Sequence, residues 1–127
     1  SVLEAFPMLK RLRTRPAGKL SGGEQQATAI GRGLMSNPSV LLLDEVSLGL
    51  SPAAVDVVYE SLRKVLEQDA TLVLVEQDLG RALEVATRVI CMLEGRFVLE
   101  GRASDLTYEQ VTEAYFGLRR AAAVGSS

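Results

Sequence analysis

The stretch LSGGEQQ, Leu20–Gln26, is followed fourteen residues later by VLLLDE, Val40–Glu45, and the reading of this pair decides the fold. Val40–Leu43 is a continuous aliphatic run ending in two acids. A strand buried on both faces of a parallel sheet reads this way, because helices cover both sides of such a sheet. The acids then fall at the carboxyl end of the strand. Upstream, Ser21 as N-cap and Glu24 at the third helical position spell a capping box, so a helix is expected from Ser21, with Ser36-Asn37-Pro38 as its stop. Ala27, Ile30, Leu34 and Met35 would form its buried face.

Working outward, Ser51-Pro52 opens a second helix, with Val55, Val58, Tyr59, Leu62, Val65 and Leu66 recurring at helical spacing. Thr71–Val75 reads as a second buried strand, followed by the polar residues Glu76-Gln77-Asp78. Leu79–Ala86 fits a short helix and Val89–Leu93 a third strand. Glu94-Gly95-Arg96 turns the chain into Phe97–Leu99, an antiparallel edge hairpin. Thr107 with Gln110 is another capping box, opening a helix through Tyr115 and Phe116. The order implies an α/β domain with a mostly parallel sheet, flanking helices, and function at the carboxyl ends of the strands. The opening segment carries Lys10, Arg11, Arg13, Arg15 and Lys19 with no intervening acid, and reads as a solvated helix-to-loop approach.

Composition narrows the chemistry. Of 127 residues, 47% are hydrophobic and 24% charged, the balance of a globular domain. A net charge of -2 gives no broad footprint for nucleic acid, and no apolar run is long enough for a membrane span. Cys91 is the single cysteine and reads as a small core residue in a reducing compartment. No signal peptide is visible in the opening residues, so a cytoplasmic location is expected. Histidine is absent, so acid-base chemistry within these residues falls to carboxylates.

In LSGGE, a serine and two glycines at a helix start present backbone N–H groups and a partial positive charge on which a phosphate could dock. An ordinary capped helix is the alternative, although paired glycines in a first turn need a reason, such as close approach of a ligand. In VLLLDE, one carboxylate can organise magnesium through water while the other orients or deprotonates an attacking water. Taken alone, solvated acids at a strand end explain the same letters.

The ordered set is more telling than its parts. LSGGEQQ, a helix ending near Asn37-Pro38, the VLLLDE strand, the turn Ser47-Leu48-Gly49-Leu50-Ser51-Pro52, then a helix and a strand ending in polar residues resembles the carboxyl-terminal half of an ATP-binding-cassette (ABC) ATPase. The resemblance runs from about Phe6 to Gly117. It divides 1–117 into the end of the helical and signature region, 1–38, and a catalytic part, 39–117, with 118–127 expected as a disordered tail. Within the superfamily, LSGGEQQATAIGRGLMSNPSVLLLDEVSLGLSP followed by LVEQD is most similar to the ATPase subunits of branched-chain amino acid importers.

That resemblance implies roles. Ser21, Gly22 and Gly23, with Glu24 beside them, match the signature motif, which closes over the γ-phosphate of ATP held by the opposite subunit. Asp44 matches the aspartate that supports Mg2+, and Glu45 the catalytic glutamate. Ser47–Pro52 occupies the loop through which two subunits sense each other, and Gln77 stands at the position of the switch histidine. Gln77 cannot become a cation, but its amide can still donate to a phosphate. Val46 replaces a usual proline and is expected to loosen the turn. Ser51 stands where many relatives carry an aspartate.

The implied partners are a second ABC ATPase subunit, membrane permease subunits touching the region Phe6–Lys19, and indirectly a solute-binding protein, at the inner face of the cell membrane; no nucleic acid is implied. The cargo would be branched-chain amino acids or related amides. These 127 residues contain no GxxxxGK[ST] phosphate loop, so this stretch alone is expected to be inactive, with exposed apolar strand surface and a tendency to self-associate. Two rival readings keep part of the pattern: a non-catalytic half-cassette that docks on another ATPase or a permease, and a lobe of a chromosome-structure or DNA-repair ATPase.

Overall fold

The computed structural model describes the backbone of residues 1–124 and the side chains of residues 1–117. Two units emerge, Ser1–Asp78 and a second beginning at Leu79. The first contains α1 (Val2–Ala5), α2 (Pro7–Leu12), α3 (Gly22–Leu34), β1 (Val40–Asp44), α4 (Pro52–Leu66) and β2 (Thr71–Val75). The second contains α5 (Leu79–Val85), β3 (Arg88–Leu93), β4 (Arg96–Arg102) and α6 (Tyr108–Val124).

In the first unit β1 and β2 pair in parallel, Val40 with Thr71 through Asp44 with Val75, and α4 is the crossover. Its apolar stripe Val55, Val58, Tyr59, Leu62 and Val65 is buried, and Leu62 and Tyr59 are wholly inaccessible. Each such side chain contributes roughly 1.5–3 kcal/mol relative to exposure. The Ser51 hydroxyl accepts the Ala54 N–H at 3.3 Å, which caps α4 as its sequence predicts. Helix α3 packs on β1, where Leu41 Cδ1 lies 3.2 Å from the point a Cβ on Gly33 would occupy. At Gly31 the same helix admits Leu9 and Val2, so α1 and α2 pack against it. Phe6, between those two helices, is fully buried and anchors a segment whose charges stay in solvent.

Three expectations need correcting. The aliphatic strands are covered on one face only among the described residues: Leu41 is buried and Leu43, Leu72 and Leu74 half-buried, while Val40, Leu42, Val73 and Val75 are exposed. α3 and α4 supply one covering layer, and the period-2 alternation leaves the other set in solvent. Met35 is not in the core; the helix ends at Leu34, and Met35 at the C-cap is 76% exposed. The segment 118–124, expected as tail, continues α6, as its alanines favour; 125–127 lie outside the described residues.

In the second unit β3 and β4 form an antiparallel hairpin, longer than Phe97–Leu99 alone. Glu94 and Gly95 link Leu93 to Arg96, with φ of 50° and 77°, a two-residue turn whose positive φ values match strand twist. Among the described residues β3 pairs only with β4. The predicted cap of α6 is present, with Thr107 N–H donating to Gln110 Oε1 at 3.0 Å and Gln110 N–H to Thr107 Oγ1 at 3.1 Å.

Substitutions on the two faces of the first unit are expected to separate. Leu62→Ala should lower the unfolding free energy by roughly 2–5 kcal/mol in urea titration. Leu42→Thr with Val73→Thr should change it by less than about 1 kcal/mol and shift the 127-residue chain toward monomer in size-exclusion chromatography.

Candidate functional site

The parallel pairing carries the ends of β1 and β2 to one edge. Just beyond it, Glu45 N–H donates to Val75 O at 2.8 Å, extending the strand contact by one residue. Glu45 then takes φ of 50°, a left-handed conformation that costs a non-glycine residue about 1–2 kcal/mol. Neighbouring bonds hold it there. Leu48 N–H returns to Glu45 O at 3.1 Å, and Val46 is 2% exposed, its side chain sunk into the core.

Two of the sequence-derived candidates meet here. Gln77 Nε2 donates a hydrogen bond to Glu45 Oε1, across a separation of thirty-two residues. One of the two amide hydrogens of Gln77 is used in this way. Asp44, the last residue of β1, is exposed at the same edge. Among the described residues no group of three or more acid or thiol ligands is assembled for a metal. A single exposed carboxylate suits magnesium, which takes one or two carboxylates and completes its shell with phosphates and water.

Behind this edge lies a residue that the sequence did not single out. Glu76 Oε1 accepts from Ser47 Oγ at 2.7 Å and from the Gln77 N–H at 3.0 Å. The Asp78 N–H reaches the same oxygen at 3.4 Å, and the other oxygen accepts from buried Tyr59 Oη at 2.7 Å. Partial burial alone would raise the Glu76 pKa, but the hydrogen bonds from Tyr59, Ser47 and the two amides outweigh it and hold the carboxyl below its ordinary value of 4.5. Only the helical spacing of Tyr59, which puts a hydroxyl in the core stripe, hinted that an acceptor must lie nearby. By contrast, the Cys91 thiol is pushed up by burial, away from the reactive thiolate.

The signature segment lies at the start of α3. Ser21 Oγ accepts from Glu24 N–H at 3.3 Å, while the Ser21 N–H donates to Glu24 Oε2 at 2.9 Å. The capping box thus occupies one oxygen of Glu24. A Cβ on Gly23 would lie 2.8 Å from Ala54 Cβ, and one on Gly22 3.0 Å from Leu50 Cδ2. The paired glycines therefore have a packing reason: they let the start of α3 approach α4 and the loop before it. Their first-turn N–H groups have no intrahelical acceptor and remain donors. Among the described residues no hydrogen bond joins Ser21–Glu24 to Asp44, Glu45 or Gln77.

The sequence profile of the family described as ABC transporter matches residues 1–47. The chain is 45% identical over 117 residues to the high-affinity branched-chain amino acid transport ATP-binding protein BraG of Pseudomonas aeruginosa, covering 91% of this chain and 50% of that protein. It is 39% identical over 108 residues to the phosphonates import ATP-binding protein PhnC of Rhizobium etli, covering 84% of this chain and 38% of PhnC. Among solved structures, the ADP conformation of the ATP-binding cassette MJ1267 matches with a TM-score of 0.74 and 28% identity, over 88% of this chain and 42% of that one. The dimeric cassette MJ0796 matches with a TM-score of 0.64 and 30% identity, over 80% of this chain and 45% of that one. This chain spans half or less of the length of these proteins.

Two stability predictions follow from this geometry. Gly23→Ala should destabilise by about 1–3 kcal/mol, because Ala54 sits on helix backbone and cannot swing away; Ala54→Gly in the same protein should recover part of the loss. Glu76 has a pKa lowered on folding, so its contribution is fully present above its unfolded value and is lost as pH falls through the lower folded value. Glu76→Gln should therefore narrow the stability gap from wild type progressively as pH drops below 4.5, measured by denaturant titration across pH.

Proposed function

Since this chain is part of an ABC transporter ATP-binding domain, we propose that the complete protein hydrolyses ATP to energise an importer, with Glu45 and Gln77 as the residues at the reacting phosphate. The observation that carries this reading is the Gln77–Glu45 hydrogen bond at the shared edge of β1 and β2. Glu45 orients a water for attack on the γ-phosphate and takes up its proton. Gln77, holding Glu45 with one amide hydrogen, offers the second to a γ-phosphate oxygen. Asp44 would be the protein's ligand toward Mg2+, which when bound neutralises phosphate charge.

Ser21, Gly22 and Gly23 serve a different nucleotide from the one Glu45 acts on. In this reading two subunits pair head to tail, each contributing its α3 N-terminus to ATP held by the other. Glu24 acts through the cap that shapes this N-terminus. The loop Ser47–Ser51, packed against Gly22 through Leu50, is the natural contact between subunits. Permease subunits would meet the region Phe6–Lys19, whose basic side chains are exposed, on the cytoplasmic side of the membrane, with a solute-binding protein supplying cargo. No helix among the described residues is long and apolar enough to cross a membrane itself.

Branched-chain amino acids or related amides are the preferred cargo, since the likeness to BraG is 45% over 91% of the chain. Phosphonates are the second reading, because PhnC is 39% identical over 84%. The complete protein should turn over ATP, and Glu45→Gln should reduce kcat by about 10²–10⁴-fold while nucleotide binding persists. ATP turnover undiminished in Glu45→Gln would overturn the assignment. Uptake of labelled leucine against labelled phosphonate, in cells lacking and then regaining the gene, separates the two cargoes.

A further inference from the structure

The segment Glu76–Asp78 meets the loop after β1 at more points than the Gln77–Glu45 bond alone. Glu76 Oε1 draws together the Ser47 hydroxyl and the Gln77 backbone N–H, at 2.7 and 3.0 Å. Its Oε2 accepts from the buried Tyr59 hydroxyl at 2.7 Å, which fixes the carboxylate to the core of α4. Ser47 lies two residues beyond Glu45, and Gln77 one residue beyond Glu76. The carboxylate is therefore a bracket between the backbone that carries Glu45 and the backbone that carries Gln77, with Tyr59 as its fixed point. Charge-assisted hydrogen bonds of this kind are stronger than neutral ones and restrict direction as well as distance.

We propose that Glu76 is a positioning residue for ATP hydrolysis: by tying Ser47 and Tyr59 to the Gln77 N–H, it sets the direction in which the Gln77 side chain meets Glu45. This rests on the hydrolytic reading above. It assigns Glu76 no contact with nucleotide; it acts through Gln77. Because Ser47 opens the loop taken as the subunit contact, a displacement of that loop is passed to Gln77 through the same carboxylate. Removal of the charge leaves Ser47 and the Gln77 N–H without a strong common acceptor. Gln77 then loses its fixed approach to Glu45, and misplacement on the order of 1 Å is enough to slow a reaction substantially.

The test uses the complete protein and steady-state ATPase kinetics on wild type, Glu45→Gln, Gln77→Ala, Glu76→Gln and the Glu76→Gln/Gln77→Ala double variant. Absence of turnover in wild type, or undiminished turnover in Glu45→Gln, would show that the hydrolytic reading itself fails. With that reading intact, Glu76→Gln should lower kcat about 10-fold or more while KM for ATP stays within about twofold. In the Gln77→Ala background it should cause no further loss, since its effect travels through Gln77. Equal fractional losses in both backgrounds would mean a structural role only, and kcat unchanged in Glu76→Gln would remove any role. If Glu76→Gln does not fold, Ser47→Ala and Tyr59→Phe each delete one bond to the bracket. Losses of kcat in these that vanish in the Gln77→Ala background support the proposal, and persistence of the losses there overturns it.

Discussion

The parallel register of β1 on β2, with Asp44 opposite Val75, is the constraint on which the candidate site depends. It sets two strand ends level, so that the residues after each, Glu45 on one side and Glu76-Gln77 on the other, lie within hydrogen-bonding reach. A slip of β1 by one residue would turn Leu41 and Leu43 away from the helices and separate the polar ends at the same time. Hydrophobic burial on one face thereby fixes polar geometry at the edge. Helix α4 is tied to the end of β2 by the Tyr59–Glu76 hydrogen bond.

The same helix receives contacts from both segments that carry candidate residues. Its first turn receives Gly23 of α3 at Ala54, and its second delivers Tyr59 to Glu76. Between them runs the loop from Ser47 to Ser51, whose two ends are held by hydrogen bonds: Ser47 to Glu76, and Ser51 to the Ala54 N–H. The start of α3 and the segment after β2 thus both meet α4. Close glycine packing, rather than a ligand, explains why the helices come near enough for that contact.

The local signals were legible in the sequence because each is short-range. Capping boxes at Ser21 and Thr107, the Ser51-Pro52 helix start and the five residues of β2 depend on neighbours within a turn, and the structure has them at the expected positions. What escaped reading was long-range. Whether VLLL is covered on one face or two is decided by the layers available, which the run itself does not encode. Glu76 is one acid among sixteen, and only a tyrosine seventeen residues away and a serine twenty-nine away give it significance. Met35 was misjudged for a related reason: at the end of an element, one dihedral decides whether an apolar side chain turns inward or out.

The left-handed backbone at Glu45 has a consequence for how this protein would respond to laboratory selection. A glycine there would adopt the same φ without steric penalty, removing a strain of about 1–2 kcal/mol and, with it, the carboxylate. Heat resistance and the hydrolytic role proposed for Glu45 therefore pull this position in opposite directions. Variants enriched purely for surviving high temperature would drift toward discarding the very side chain that faces Gln77, so any library built for thermal robustness should keep codon 45 fixed.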